Sequence, residues 1–232
     1  MSSISTALQD ICRRIEAAAV EAGREPSSIR LIAVSKTKPP HKIREAFDAG
    51  HRLFGESYLQ EFLEKRADPL LEGLPIEWHF IGHLQSNKIR SVIGKVSLIH
   101  GIDKISTARE LSRQALRQNL HANYLLEVNT SGESTKYGMA PNEALSAAEA
   151  LFALPSITLR GLMTIASPDA ALAAKEFGEL RHLLEQLREV APHPEQLSEL
   201  SMGMSGDFEA AVMEGATMIR IGTAIFGARG AG

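Results

Sequence analysis

The sequence predicts a single (β/α)8 barrel with an extra N-terminal helix, and three observations lead there. Short apolar runs alternate with helix-patterned stretches along the whole chain, the signature of parallel βαβ units. About eight such runs fit in a chain whose length is near the roughly 250 residues typical of a TIM barrel. The turn after the first run reads Ser35-Lys36-Thr37-Lys38-Pro39-Pro40, where a doubly wound open sheet, the competing architecture, would normally carry a Gly-rich phosphate turn. No linker or low-complexity segment divides the sequence, so residues 1–232 are expected to form one domain.

The elements follow in order. Residues 1–23 form a helix with Ile4, Leu8, Ile11, Ile15 and Ala18 on one face and Gly23 as its stop. Because it precedes any strand, it is expected to lie across the N-terminal end of the barrel or against its outer wall. Strands are predicted at 30–35 (RLIAVS), 52–55 (RLFG), 76–82, 97–101 (SLIHG), 123–128 (NYLLEV), 158–163 (TLRGLM), 199–202 and 218–221. In the third, Trp78 and Phe80 alternate with Glu77 and His79, the period of a strand with two different faces. The clearest helix carries Phe177, Leu180, Leu184, Leu187 and Val190 at helical spacing and is opened by Ser167-Pro168-Asp169. Another is predicted from Ser205 through Phe208, Ala211 and Val212 to Gly215.

Composition narrows the function classes. The chain has 44% hydrophobic and 23% charged residues and a formal net charge of -3, without the basic footprint of a nucleic-acid binder. Cys12 is the single cysteine, so no intramolecular disulfide can form, and a reducing, cytoplasmic compartment is expected. The N-terminus lacks the basic start and apolar run of a signal peptide, and no apolar stretch approaches the roughly 20 residues that span a bilayer. His79 and His83 are four apart but do not form a helical metal pair, CxxC and HExxH are absent, and no metal site is expected. The Gly132-Glu133-Ser134-Thr135-Lys136-Tyr137-Gly138 segment lacks the ending of a P-loop and reads as a mouth loop after the fifth strand.

Barrel functional groups gather at the C-terminal ends of the strands, and phosphate is commonly held by the loops after strands seven and eight. Three features sit there. Lys36 follows the apolar run 31–35, where partial desolvation would lower its ammonium pKa as Schiff-base chemistry requires. Taken alone, a strand-end lysine is more often a solvated charge, and Lys38 is read as one. Leu200-Ser201-Met202-Gly203-Met204-Ser205-Gly206 offers small residues and backbone amides before a helix. Arg220-Ile221-Gly222-Thr223-Ala224-Ile225-Phe226-Gly227 adds a permanent cation, a close-approach glycine and a hydroxyl. The last two together match the barrel's usual phosphate position and outweigh either alone.

The segments 33–38, Phe54-Gly55-Glu56-Ser57-Tyr58, the WHFIGHLQSNK block at 78–88, 200–207 and 220–227 together resemble the YggS/PROSC family of pyridoxal 5′-phosphate (PLP) homeostasis proteins, related to the N-terminal barrel of alanine racemase. The likeness runs nearly end to end. It implies PLP as cofactor, linked to Lys36 as a Schiff base, with phosphate contacts from Ser201, Gly222 and Thr223 and with Arg220 facing the pyridine nitrogen. An arginine there disfavours protonation of that nitrogen and weakens the ring as an electron sink. One position departs from the pattern: Ser57 stands where the family usually has asparagine, which puts any contact of the longer amide in doubt.

Two functions compete. A racemase needs acid/base groups on both faces of the substrate carbon, and in alanine racemase the second, a tyrosine, comes from an additional C-terminal β-domain. The sequence ends about five residues beyond Gly227, so no such domain is expected, and Tyr58, Tyr124 and Tyr137 lie in no equivalent region, which leaves a racemase only a mouth-loop donor, with Tyr137 or Lys136 the candidates. The expectation is a monomeric PLP carrier without catalytic residues or significant turnover, handing the cofactor to apo-enzymes. Lys136 is the candidate second amine in transfer.

Overall fold

The computed structural model describes residues 3–228. Eight parallel strands close into a barrel in chain order: β1 Arg30–Val34, β2 Leu53–Glu56, β3 Glu77–His83, β4 Leu98–Ile102, β5 Ala122–Glu127, β6 Ile157–Met163, β7 Glu199–Ser201 and β8 Met218–Ile221. Closure comes from β8 pairing with β1, Arg30 opposite Met218 through Ala33 opposite Ile221. This excludes the open doubly wound sheet, and the strand ends lie within one residue of those the sequence predicts.

Around the barrel run α1 Ile4–Glu21, α2 Pro40–Asp48, α3 Leu59–Arg66, α4 Ile89–Val92, α5 Ile105–Gln118, α6 Pro141–Phe152, α7 Ala170–Val190, α8 Phe208–Met213 and α9 Thr223–Phe226. The apolar face predicted for α1 is the buried one. Ser3 caps it by accepting the Thr6 amide at 3.2 Å. Its C-terminus closes with Arg24 N–H on Ala19 O and Gly23 N–H on Val20 O, Gly23 at φ 65°, the paired bonds of a Schellman turn. The helix packs on α2, α8 and α9, so of the two expected positions it takes the outer wall. The short α8 and α9 leave the outer side of β8 thinly covered, and α1 shares one apolar cluster with Phe208, Val212, Ile219, Ile221 and Ile225.

Two other helix starts differ from the sequence prediction. The N-cap of α7 is Asp169, whose carboxylate accepts the amides of Ala171 and Leu172 at 3.0 Å. Ser167 instead turns its hydroxyl to Glu176. Helix α8 begins at Phe208 rather than Ser205, because Asp207 Oδ1 accepts the Met204 amide at 2.5 Å and holds the intervening residues in a turn.

Inside the barrel Ile32, Leu53, Leu98, Leu125, Met163 and Met218 form an apolar cluster. The polar side chains of His79, His100, Ser201 and Arg220 are buried as well, so each must find a partner. At the C-terminal rim three chain segments approach closely. A methyl group on Gly82 would lie 2.3 Å from Ser57 O, and one on Gly101 would lie 2.1 Å from Gly82 O. Only glycine permits this contact between the ends of β2, β3 and β4.

Candidate functional site at the barrel mouth

Strands β7, β8 and β1 are consecutive around the barrel, which brings together the three features predicted from sequence. Arg220 sits beside Ile32 of β1 and its amide donates to Gly203 O at 3.0 Å. One step beyond the paired residues, a Cβ on Gly222 would lie 3.2 Å from Val34 O. Lys36 thus follows two residues after the Val34 that packs on Gly222, and β8 separates β1 from β7 and the 201–206 loop.

Lys36 is half-buried, and the residues on either side of it are clamped. Ser35 donates its hydroxyl to Glu56 Oε1 at 2.6 Å, while Thr37, at φ 63°, donates its amide to Glu61 Oε1 at 2.6 Å. Between these carboxylates lies the buried ammonium of Lys65, 2.7 Å from Glu56 Oε1, 2.6 Å from Glu61 Oε1 and 2.6 Å from Ser35 O. Burial pushes the Glu56 carboxyl above its ordinary value, with Lys65 and Ser35 opposing. Lys38, expected as a solvated charge, instead donates to Gly227 O at 2.9 Å and Ala228 O at 2.8 Å, tying the loop after β1 to the end of α9.

The Arg220 guanidinium is buried. Nη1 donates to Ser201 Oγ at 2.6 Å and Nη2 to Thr164 O at 2.7 Å. Burial lowers its pKa to about 10, so it remains a cation at neutral pH. The Ser201 hydroxyl also lies 2.9 Å from His100 Nδ1. It thus faces into the barrel, and a hydroxyl contact to a phosphate would require it to turn out of this pair. On the opposite side of the mouth the buried Glu127 carboxyl is pushed up to about 7 by burial and then by Asp103, with Arg220 opposing.

Gly222 and Thr223 open α9, whose first amides have no partner within the helix. Thr223 is exposed, and Gly203, at φ 92°, turns the 201–206 loop alongside. Further polar side chains meet on the β3–β5 side of the mouth. The His83 ring stacks on Tyr137 at 4.1 Å between centroids, His83 Nδ1 lies 3.6 Å from Asp103 Oδ2, and Lys136 Nζ lies 2.7 Å from Glu133 Oε1. Among the described residues no cluster of three or more His, Cys, Asp or Glu side chains is arranged for a metal ion. No helix among the described residues is long and apolar enough to cross a membrane.

The donor set fits a phosphorylated aldehyde: a half-buried amine, a buried cation that stays charged at neutral pH, and backbone amides at a glycine-lined turn. Sequence reasoning missed the Glu56–Lys65–Glu61 clamp and the barrel-interior pair His79 and His100. For the histidines a signal existed, since each stands in a run of strongly apolar strand residues. For Lys65, four residues after Glu61 on a helix, the pattern is that of an ordinary surface pair.

Residues 7–230 match the family model described as "Alanine racemase, N-terminal domain". A "Pyridoxal phosphate homeostasis protein" from Pseudomonas aeruginosa is 48% identical over 99% of this chain and 97% of its own. One of the same description from Escherichia coli is 42% identical over 99% and 98%. Among solved structures, PipY from Synechococcus elongatus, determined with PLP bound, is 38% identical with a TM-score of 0.81 over 92% of this chain and 100% of that one. Alanine racemase from Corynebacterium glutamicum shares the fold, TM-score 0.69 at 18% identity, but only 62% of its chain is matched.

Proposed function

Because the chain belongs to the pyridoxal phosphate homeostasis proteins, within the alanine racemase N-terminal domain family, we propose that it holds PLP as a Schiff base on Lys36 and stores or hands on the cofactor without turning over a substrate. The observation that carries this reading is a half-buried lysine just past the end of β1, the strand whose Val34 packs on Gly222 and whose neighbour β8 carries the buried Arg220. Lys36 would hold the cofactor, whose aldehyde would supply the group that condenses with a primary amine. The clamp on Ser35 and Thr37 fixes the backbone on either side of Lys36.

The phosphate is assigned to the amides at Gly222 and Thr223, to the Thr223 hydroxyl and to the loop that Ser201 begins. Arg220 faces the pyridine nitrogen, and its permanent charge disfavours a proton there. A ring so held is a poor electron sink, which suits retention over turnover. The acceptors are apo-enzymes in the cytoplasm, the chain acts as a monomer, and Lys136 at the mouth is the second amine available during hand-over.

The competing reading is an amino-acid racemase. Its relatives share the barrel at 16–18% identity, which supports the fold alone. It also needs a second acid/base group. The Tyr124 phenol is fully buried and pushed far up by desolvation, which leaves it unfit for proton transfer near neutral pH. Turnover of L- and D-amino acids by the purified holo-protein separates the two. A carrier shows no rate above that of free PLP, whereas a rate far above it that disappears in Lys36→Ala would establish the racemase.

A further inference from the structure

A string of polar side chains crosses the apolar barrel interior from one end to the other. Glu77, at the N-terminal end of β3 and half-exposed, lies 3.0 Å through Oε1 from His79 Nε2. His79 Nδ1 lies 3.0 Å from His100 Nε2, and His100 Nδ1 lies 2.9 Å from Ser201 Oγ. Ser201 Oγ in turn accepts from Arg220 at 2.6 Å. Both imidazoles are buried, 1% and 0% exposed.

The two ends fix the direction of every bond between them. A guanidinium only donates and a carboxylate only accepts. Glu77 therefore requires a proton on His79 Nε2. In a neutral ring this leaves His79 Nδ1 as an acceptor, so His100 must carry its proton on Nε2. His100 Nδ1 is then also an acceptor, and the Ser201 hydroxyl donates to it while receiving Arg220. Burial holds both histidines below their ordinary pKa, and the Glu77 carboxyl is lowered by its bond to His79, so this neutral arrangement has the charge states it needs.

We infer that Glu77, His79, His100 and Ser201 form a one-way hydrogen-bond relay through the barrel, and that His79 and His100 are positioning residues which fix the Arg220 guanidinium from the far end. Each donor in the relay has one acceptor: inverting His79 alone would set two N–H groups against each other, and inverting His100 alone would set two lone pairs against each other. The relay commits the Ser201 hydroxyl inward, which leaves Arg220 a fixed acceptor on one arm and Thr164 O on the other. Its consequence for the cofactor ring rests on the proposed placement of Arg220 beside the pyridine nitrogen; the relay itself does not.

The test uses the full-length, ligand-free protein with nitrogen-15 histidine and arginine. Two-bond proton–nitrogen correlation spectra at neutral pH are expected to show both rings neutral and protonated on Nε2. An Nδ1–H or a charged pattern in either ring overturns the relay. Glu77→Leu removes the terminal acceptor at a half-exposed position where Arg30 keeps its 3.0 Å contact with Glu199. It is expected to move the His100 ring nitrogens and the Arg220 Nε–H signal, and Glu77→Gln, which retains an acceptor, is expected to restore them. Unmoved His100 and Arg220 signals in Glu77→Leu would overturn transmission. In the PLP-loaded protein, Glu77→Leu is expected to shift the absorbance spectrum and raise the dissociation rate severalfold, with Glu77→Gln near wild type. If wild type takes up no PLP, the proposed function fails while the ligand-free spectra still decide the relay.

Discussion

Lys65 and Glu56 form an ion pair in the protein interior, Nζ to Oε1 at 2.7 Å, with side-chain exposures of 4% and 0%. The pair bridges α3 and β2 and reaches the backbone of the loop that presents Lys36, through Ser35 O and the Ser35 hydroxyl. Removing one partner of such a pair leaves a buried charge without compensation.

Lys65→Met is therefore expected to lower stability by about 3 kcal/mol, measured by urea unfolding. It should also speed PLP release, because Ser35 and Thr37 lose the group that organises their acceptors. The double variant Lys65→Met/Glu56→Gln, with no buried charge left over, should recover part of the stability but not the slow release. Unchanged release in Lys65→Met would show that the clamp does not position Lys36.

At the rim, Gly82→Ala would place a methyl group 2.3 Å from Ser57 O. The obstacle is backbone, so β2 and β3 must separate. A loss of about 3 kcal/mol is expected, the upper end of ordinary overpacking. Thermal unfolding checks this, and a wild-type midpoint would contradict the close approach.

Glu127 sets a pH dependence whose sign can be worked out. Its folded pKa, about 7, is raised above the unfolded value, so its contribution to stability is full below roughly pH 4.3 and is lost as pH rises through 7. Glu127→Gln mimics the protonated carboxyl. In the ligand-free protein it should be more stable than wild type by on the order of 2 kcal/mol near pH 8, with the gap closing toward pH 4. His79 and His100 have lowered pKa values and act oppositely, losing stability as pH falls below roughly 6.5. Both proteins contain them, so the difference between the two urea-unfolding curves isolates Glu127. A constant gap across that range would contradict the assignment.

The barrel was legible because its strands are short apolar runs at regular spacing, and runs such as 30–35 and 218–221 mark their own boundaries within a residue. The starts of α7 and α8 were less so. Ser167-Pro168 and Ser205 each look like caps, and only the folded backbone shows that the next aspartate, Asp169 or Asp207, holds the local amides. The candidate residues Lys36, Arg220, Gly222 and Thr223 were picked out from their places at or just after strand ends. Their supports were not. Beside local partners, Glu56, Lys65, His79 and His100 have others 9, 21 or 101 positions away along the chain, and no local pattern encodes those pairings.

The central claim, that Lys36 carries PLP, is tested most directly by loading the full-length protein with PLP, reducing it with borohydride and mapping the modified peptide by mass spectrometry. Reduction adds hydride to the C=N carbon and fixes the cofactor as a secondary amine on whichever lysine held it. The account predicts a phosphopyridoxyl group on the peptide containing Lys36 and its loss in Lys36→Ala. Label recovered chiefly on Lys136 or another lysine, or no label at all, would contradict it.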